Sequence, residues 1–376
     1  MKNHQLIEKI PDYSKVILFL GAFIILISCN NNSINPLPGK SCGDNDSVGV
    51  WKFLGLAEET INAIAVNPEK QNIIYAGTSK DFSAGIPGRI YRSTDFGRNW
   101  TKIMERNDYS FTQVLYDPNN SNIIYAVPYM LIKSTNGGIT WKDISNGIRL
   151  DYDTRVSKIA INPKNSNIIY AGTGGFFGGT LYKSTNGGES WTDLYRNEDE
   201  TPGLRNGVIS LAIDPVNDNI IYAGTAFIGV IIKSIDAGHT WGITGLGETD
   251  QLIKSITIDN NSTQTVYTAI DHSGFFRSLD GGNSWQSFNE GLGDSAQAIK
   301  IIQDKKNFDL FGLASSKDTE GTYVAGLYIR KMSNSVWNKI SIENTITDSD
   351  SDIFITDDGK DLYFGTYKGI YKIELF

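Results

Sequence analysis

The sequence predicts an all-β fold, a single seven-bladed propeller of four-stranded blades, on three observations. First, the seven tryptophans (Trp51, Trp100, Trp141, Trp191, Trp241, Trp285 and Trp337) recur at intervals of 49, 41, 50, 50, 44 and 52 residues. A residue that returns about every 40–50 positions marks a repeat array, and that period accommodates four short strands. Second, the octapeptides that end on five of these tryptophans are alike: STDFGRNW at 93–100, STNGGITW at 134–141, STNGGESW at 184–191, SIDAGHTW at 234–241 and SLDGGNSW at 278–285. Third, the 376 residues include 38 glycines, 18 tyrosines and 17 phenylalanines, the bias that short strands joined by tight turns produce.

Each repeat reads in a fixed order. INAIAVNP at 61–68 returns as SKIAINP at 157–163 and SLAIDP at 210–215, an apolar strand that ends in an Asn/Asp-Pro turn. NIIYAGT at 72–78 returns at 167–173 and 219–225, with NIIYAVP at 122–128. A variable loop, a strand ending in Ser, a Gly turn and a strand opening with Trp complete the unit. The sixth repeat, KMSNSVW at 331–337, keeps Trp337 without the glycines, and the seventh offers only three strands, near 352–356, 362–366 and 369–376. The missing fourth is expected from WKFL at 51–54, which parallels WKDI at 141–144. An N-terminal strand paired with the last blade would close the ring and leave few open edges.

The Ser-x-Asp/Asn-x-Gly-x-x-Trp unit resembles the Asp-box, or BNR, repeat of sialidase-like propellers. The unit comprises Ser93, Asp95, Gly97 and Trp100 in the first copy, then Asn136 and Trp141, Asn186 and Trp191, Asp236 and Trp241, and Asp280 and Trp285. A short polar side chain can accept backbone N–H bonds across a tight turn, glycine takes the left-handed conformation, and Trp packs over the hairpin. The resemblance spans about residues 50–376 and implies a fold rather than a reaction.

The N-terminus carries an address. Lys2, Lys9 and Lys15 precede VILFLGAFIILIS at 16–28, too short a run to cross a bilayer comfortably and suited to an export signal. It ends in LISC at 26–29, which resembles the lipobox of bacterial lipoproteins and implies lipidation at Cys29. The expected organisation is a signal peptide at 1–28, a lipidated tether at 29–48 and the propeller at 49–376. Residues 30–46 are rich in Asn, Gly and Pro, as flexible tethers are. Cys42 is the second of two cysteines, so with Cys29 lipidated no disulfide can form within the chain. Asn30 after the cysteine favours the outer membrane of a bacterial envelope.

Function is sought on the face that carries the loops between second and third strands and the connections between blades. Its aromatics, Phe82, Tyr129, Tyr152, Phe176, Phe177, Tyr195 and Phe227, could stack on sugar rings. Carboxylates at Asp81, Asp151, Asp153, Glu198, Asp199, Glu200, Asp271 and Asp318 could bind hydroxyls. Long loops in the first, third and sixth repeats (79–88, 174–179 and 315–326) would wall a site. YTAIDHSGFFR at 267–277 is similar to the Y-A-R-T-D-I-G-G-A-Y-R stretch of family-74 xyloglucan hydrolases, which would put a catalytic base at Asp271. The Arg and Thr before it are absent here, and that family keeps its acid on a second propeller. His272 could shuttle a proton, and Asp81 and Asp318 are the candidates for a second carboxyl. An inverting glycosidase needs its two carboxyls roughly 6.5–9.5 Å apart. The sialidase arginines and Tyr–Glu pair have no counterpart, and Arg89 reads as strand surface. In export, anchor and blade count the chain also resembles the photosystem II assembly-factor lipoproteins, and its repeats look like those of sortilin-type propellers.

A net charge of −8 argues against a nucleic-acid partner, whose phosphates need a basic stripe. No His/Cys spacing suits zinc and no Gly-rich loop suits a phosphate. The acidic run 348–352 reads as solvated. No cofactor or metal is expected. The resulting expectation is a lipid-anchored envelope propeller that binds a polysaccharide or protein partner, with a carbohydrate-active enzyme using loop-face carboxylates as the alternative.

Overall fold

The computed structural model describes residues 49–81, 84–107, 109–151, 154–175, 178–195, 207–226, 228–293, 296–317, 323–340 and 351–375. These form seven antiparallel four-stranded sheets arranged as a propeller, as the sequence predicts. The inner strands are Ile61–Val66, Gln113–Asp117, Arg155–Ile161, Val208–Ile213, Ile253–Ile258, Gln297–Gln303 and Asp352–Ile355. The closing blade is also as expected: Lys52–Gly55 pairs with Gly369–Glu374, with Lys52 opposite Lys372 and Phe53 opposite Tyr371.

The second strands make the core. Their repeated Ile-Tyr-Ala-Gly-Thr is buried at every position in the first, third and fourth blades. Glycine is required there by close approach, because a Cβ at Gly224 would lie 2.4 Å from the Ile253 side chain of the next inner strand. The buried tyrosines reach the next blade's turn: Tyr170 Oη donates to Ala237 O at 2.9 Å and Tyr222 Oη to Gly281 O at 2.9 Å. Lys183 and Lys233 donate to those same two carbonyls at 2.9 and 2.7 Å, each with its ammonium near the tyrosine ring. A burial-driven core is thus stapled blade to blade by paired donors on one acceptor.

In the first turn Ser93 Oγ donates to Asp95 Oδ1 at 2.8 Å and accepts from Gly97 N, while Asn99 N donates to Asp95 Oδ1 at 2.9 Å. The same pattern holds at Asn136, Asn186, Asp236 and Asp280. These bonds favour the carboxylate form. Asp95 is held down to about 2 by the Asn99 amide first, and Asp236 and Asp280 to about 2 by the Thr240 and Ser284 hydroxyls first.

The tryptophans do more than cover their own hairpins. Trp141, Trp241 and Trp285 donate to a glycine carbonyl of the same turn. Trp100, Trp191, Trp337 and Trp51 instead donate to Leu54, Ile144, Phe288 and Ile340, at the outer edge of the preceding blade. The sixth hairpin also differs from expectation. Leu310–Lys317 and Tyr323–Arg330 stay paired out to Lys317 and Tyr323, so most of the loop expected at 315–326 is strand. Tyr323 and Val324 favour the extended chain.

Candidate functional site

The loop face brings some of the expected residues together. Asp271 follows the second strand of the fifth blade, and its Oδ2 lies 3.6 Å from Lys254 Nζ and 4.0 Å from His272 Nε2. His272 adopts a left-handed backbone (φ 57°), and its Nδ1 lies 2.6 Å from Gln297 Nε2. Ser315 Oγ donates to Gln297 Oε1 at 3.2 Å. A polar relay therefore runs along the seam between the fifth and sixth blades at the channel mouth.

Asp81 is not part of it. Its Oδ1 accepts from Ala84 N at 3.0 Å and its backbone bridges Ile86, so it shapes its own loop. It belongs to the first blade, which two blades separate from the fifth by the shorter way round the ring. Asp271 and Asp81 thus stand on different sides of the channel. Arg89 is likewise engaged, between Glu59 at 2.6 Å and Glu105 at 2.9 Å. Tyr91 shares Glu59, and burial first, then that bond, pushes its hydroxyl up to about 12.

Tyr129, on the loop of the second blade, stacks on Tyr109 of the preceding connection with centroids 4.2 Å apart and planes at 23°. Tyr129 Oη donates to Asp151 O, and Tyr109 is 36% exposed. The expected positions Phe82, Tyr152, Asp153, Phe176, Phe177, Glu198, Asp199, Glu200, Phe227 and Asp318 lie outside the described residues, as do Cys29 and Cys42. Tyr195 is described only as backbone, at the end of the strand Thr192–Tyr195.

Sequence reasoning sought function on the loop face and gave the wall of the axial channel no role. All seven inner strands line a cavity of about 640 Å³. Aligned by repeat, one position of each strand forms a ring: Ala63, Gln113, Lys158, Ser210, Ser255, Lys300 and Asp352. In five strands the ladder shifts register just before this position, and such bulges re-aim side chains. Most ring residues bond to the next blade. Gln113 exchanges two bonds with the Ile159 backbone, Ser210 donates to Ile253 O, and Ser255 donates to Ile301 O. Asp352 accepts from Ile64 N at 2.8 Å, and Lys300 pairs with Asp352 and donates to Ile353 O. Asp352, expected to be solvated with its acidic neighbours, is instead buried at the ring closure. Among the described residues no cluster of three or more His, Cys, Asp or Glu is placed to hold a metal ion.

Burial pushes the Lys158 ammonium down to about 8. The Lys300 charge across the channel adds to the fall, and Asp352 opposes it. The folded protein therefore holds this proton less tightly than the unfolded chain, whose lysine sits near 10.5. The charge opposes folding at every pH below 8, and the penalty fades as pH rises from 8 to 10.5. Lys158→Met is expected to add about 1–3 kcal/mol of stability at pH 7. Urea unfolding at pH 7 and at pH 10.5 checks this, the gain shrinking toward zero at the higher pH.

No family model matches this chain, and no curated protein matches it. Among solved structures it is similar to an ancestral GH74 enzyme, at 23% identity and a TM-score of 0.55 over 70% of this chain. The match spans only 36% of that enzyme. It is also similar to YCF48 from Cyanidioschyzon merolae, at 15% identity and a TM-score of 0.59, over 86% of this chain and 98% of the other. A structure of YCF48 bound to D1 peptide aligns at 14% identity and a TM-score of 0.58, over 88% of this chain and 100% of the other. At these identities the likeness is one of fold, and the fold shared is the propeller.

Proposed function

We propose that this chain is an exported propeller, lipid-anchored at Cys29 in the bacterial envelope, preferentially at the outer membrane, that binds a protein segment or glycan on its loop face. The observation that carries the reading is the Tyr109–Tyr129 stack, an exposed aromatic platform of the kind on which peptide side chains and sugar rings pack. Asp271 is engaged by Lys254 and His272, and Asp81 by its own loop, which among the described residues favours a binding or assembly module over a hydrolase. YCF48, similar in fold, has a structure bound to D1 peptide, which supports a protein segment as partner.

The test uses full-length protein in detergent on arrays of envelope-protein peptides and of polysaccharides, with reducing-sugar release read in parallel. Specific binding without release, weakened about tenfold by Tyr129→Ala, is the expected result. Sugar release abolished by Asp271→Asn would replace this reading with a glycoside hydrolase. Cys29→Ser is expected to move the protein from the membrane to the soluble fraction, and unchanged partition would remove the anchor from the proposal.

A further inference from the structure

Lys158 breaks the rule of its ring. Its counterparts Gln113, Ser210, Ser255, Lys300 and Asp352 each bond to the inner strand of the next blade. Ala63 has no polar group to offer. Lys158 has one, yet its ammonium makes no hydrogen bond or ion pair with any described residue. The neighbouring Ser157 bonds to Val208 O of the next blade. The other lysines of the channel are partnered: Lys300 by Asp352, Lys254 by Asp271 and Lys305 by Asp357. One positive charge is left over, on the wall of a cavity of about 640 Å³ that Lys300 also lines from the far side of the ring. A half-buried cation without a partner is costly to keep, and an anion seated between two ammonium groups would offset that cost.

We propose that Lys158, with Lys300 opposite, forms a seat for a small oxyanion, carboxylate or phosphate, in the axial channel. The seat would offer charge-assisted N–H bonds from two sides, while the Asp352 carboxylate beside Lys300 limits how much negative charge it accepts. It is separate from the aromatic platform on the loop face. A Tyr109→Ala/Tyr129→Ala variant leaves it intact, so the two readings can fail independently.

Full-length protein in a non-ionic detergent and a low-salt zwitterionic buffer at pH 7 is titrated by calorimetry with inorganic phosphate and, separately, with acetate. One saturable site per chain is expected for at least one probe. Phosphate alone would assign a phosphate seat, and acetate alone or both would assign a carboxylate-accepting one. Lys158→Met should weaken binding at least about tenfold, while Lys158→Arg, which keeps the charge, should hold it within about threefold. Should the methionine variant misfold, Lys158→Gln takes its place, with circular dichroism confirming the fold. No saturable binding of either probe, or binding that Lys158→Met leaves unchanged, overturns the proposal.

Discussion

Deleting residues 49–56 from the chain is expected to collapse the cooperative unfolding of the whole ring. The lost segment holds the outer strand of the seventh blade, paired with Gly369–Glu374. Leu54 is 6% exposed, and burying a leucine is worth about 2 kcal/mol. Two indole bonds go with it, Trp51 to Ile340 O and Trp100 to Leu54 O, at about 1 kcal/mol each. With the stripped edge of the last blade exposed, the sum reaches about 5 kcal/mol, the low end of a domain's entire stability. Thermal melts by circular dichroism should show a drop of well over about 10 °C and a broadened transition. A drop below about 3 °C would mean that the strand does not carry the closure. Supplying residues 49–58 as a synthetic peptide should restore part of the loss.

The second large effect lies in one turn. Gly137 and Gly138 both take left-handed backbone, at φ +65° and +77°, but they face different surroundings. A Cβ on Gly137 meets nothing within 4 Å, whereas one on Gly138 would sit 2.3 Å from Tyr75 Oη. That hydroxyl donates to Gly137 O at 2.7 Å and joins the first blade to the second. Gly137→Ala is therefore expected to cost only the backbone strain, about 1 kcal/mol. Gly138→Ala adds displacement of a buried tyrosine and loss of its bond, about 3 kcal/mol or more in total. Urea denaturation of the two variants separates them, and equal losses would show that the staple contributes nothing. Tyr75→Phe on the Gly138→Ala background should relieve only part of the loss, because the ring carbon Cζ lies 2.9 Å from the same point.

The parts of this architecture that were legible in the sequence are those governed by local chemistry. The Ser-x-Asp/Asn-x-Gly turn needs its residues at fixed spacing, so five copies could be read directly, and Trp51-Lys52-Phe53-Leu54 could be matched to the outer strand of another blade. The loop face was less legible, since loop lengths vary between repeats and obey no period. Whether Asp81 or Asp318 reaches Asp271 was not legible, and the structure engages Asp81 within its own loop. The channel was legible in principle but hidden in practice. Lys158 lies in a clear repeat, while Lys300 and Asp352 lie in the two most diverged ones, and their shared position emerges only when the strands are superposed. The sixth hairpin was misread because Ser315–Lys317 carries no apolar alternation to distinguish strand from loop.

The ring of channel residues has a bearing on how such a protein changes. Seven positions, one per repeat, converge on a single axis although they are scattered along the chain from Ala63 to Asp352. Each is a letter that can be exchanged without touching the turns or tryptophans of its blade, although five of the seven also bond to the next inner strand. Here the letters spell Ala, Gln, Lys, Ser, Ser, Lys and Asp, but a sister chain with the same skeleton could spell an acidic, apolar or metal-binding axis. What such a channel can accept is set by these seven side chains, whereas the turns and tryptophans set only that there is a channel.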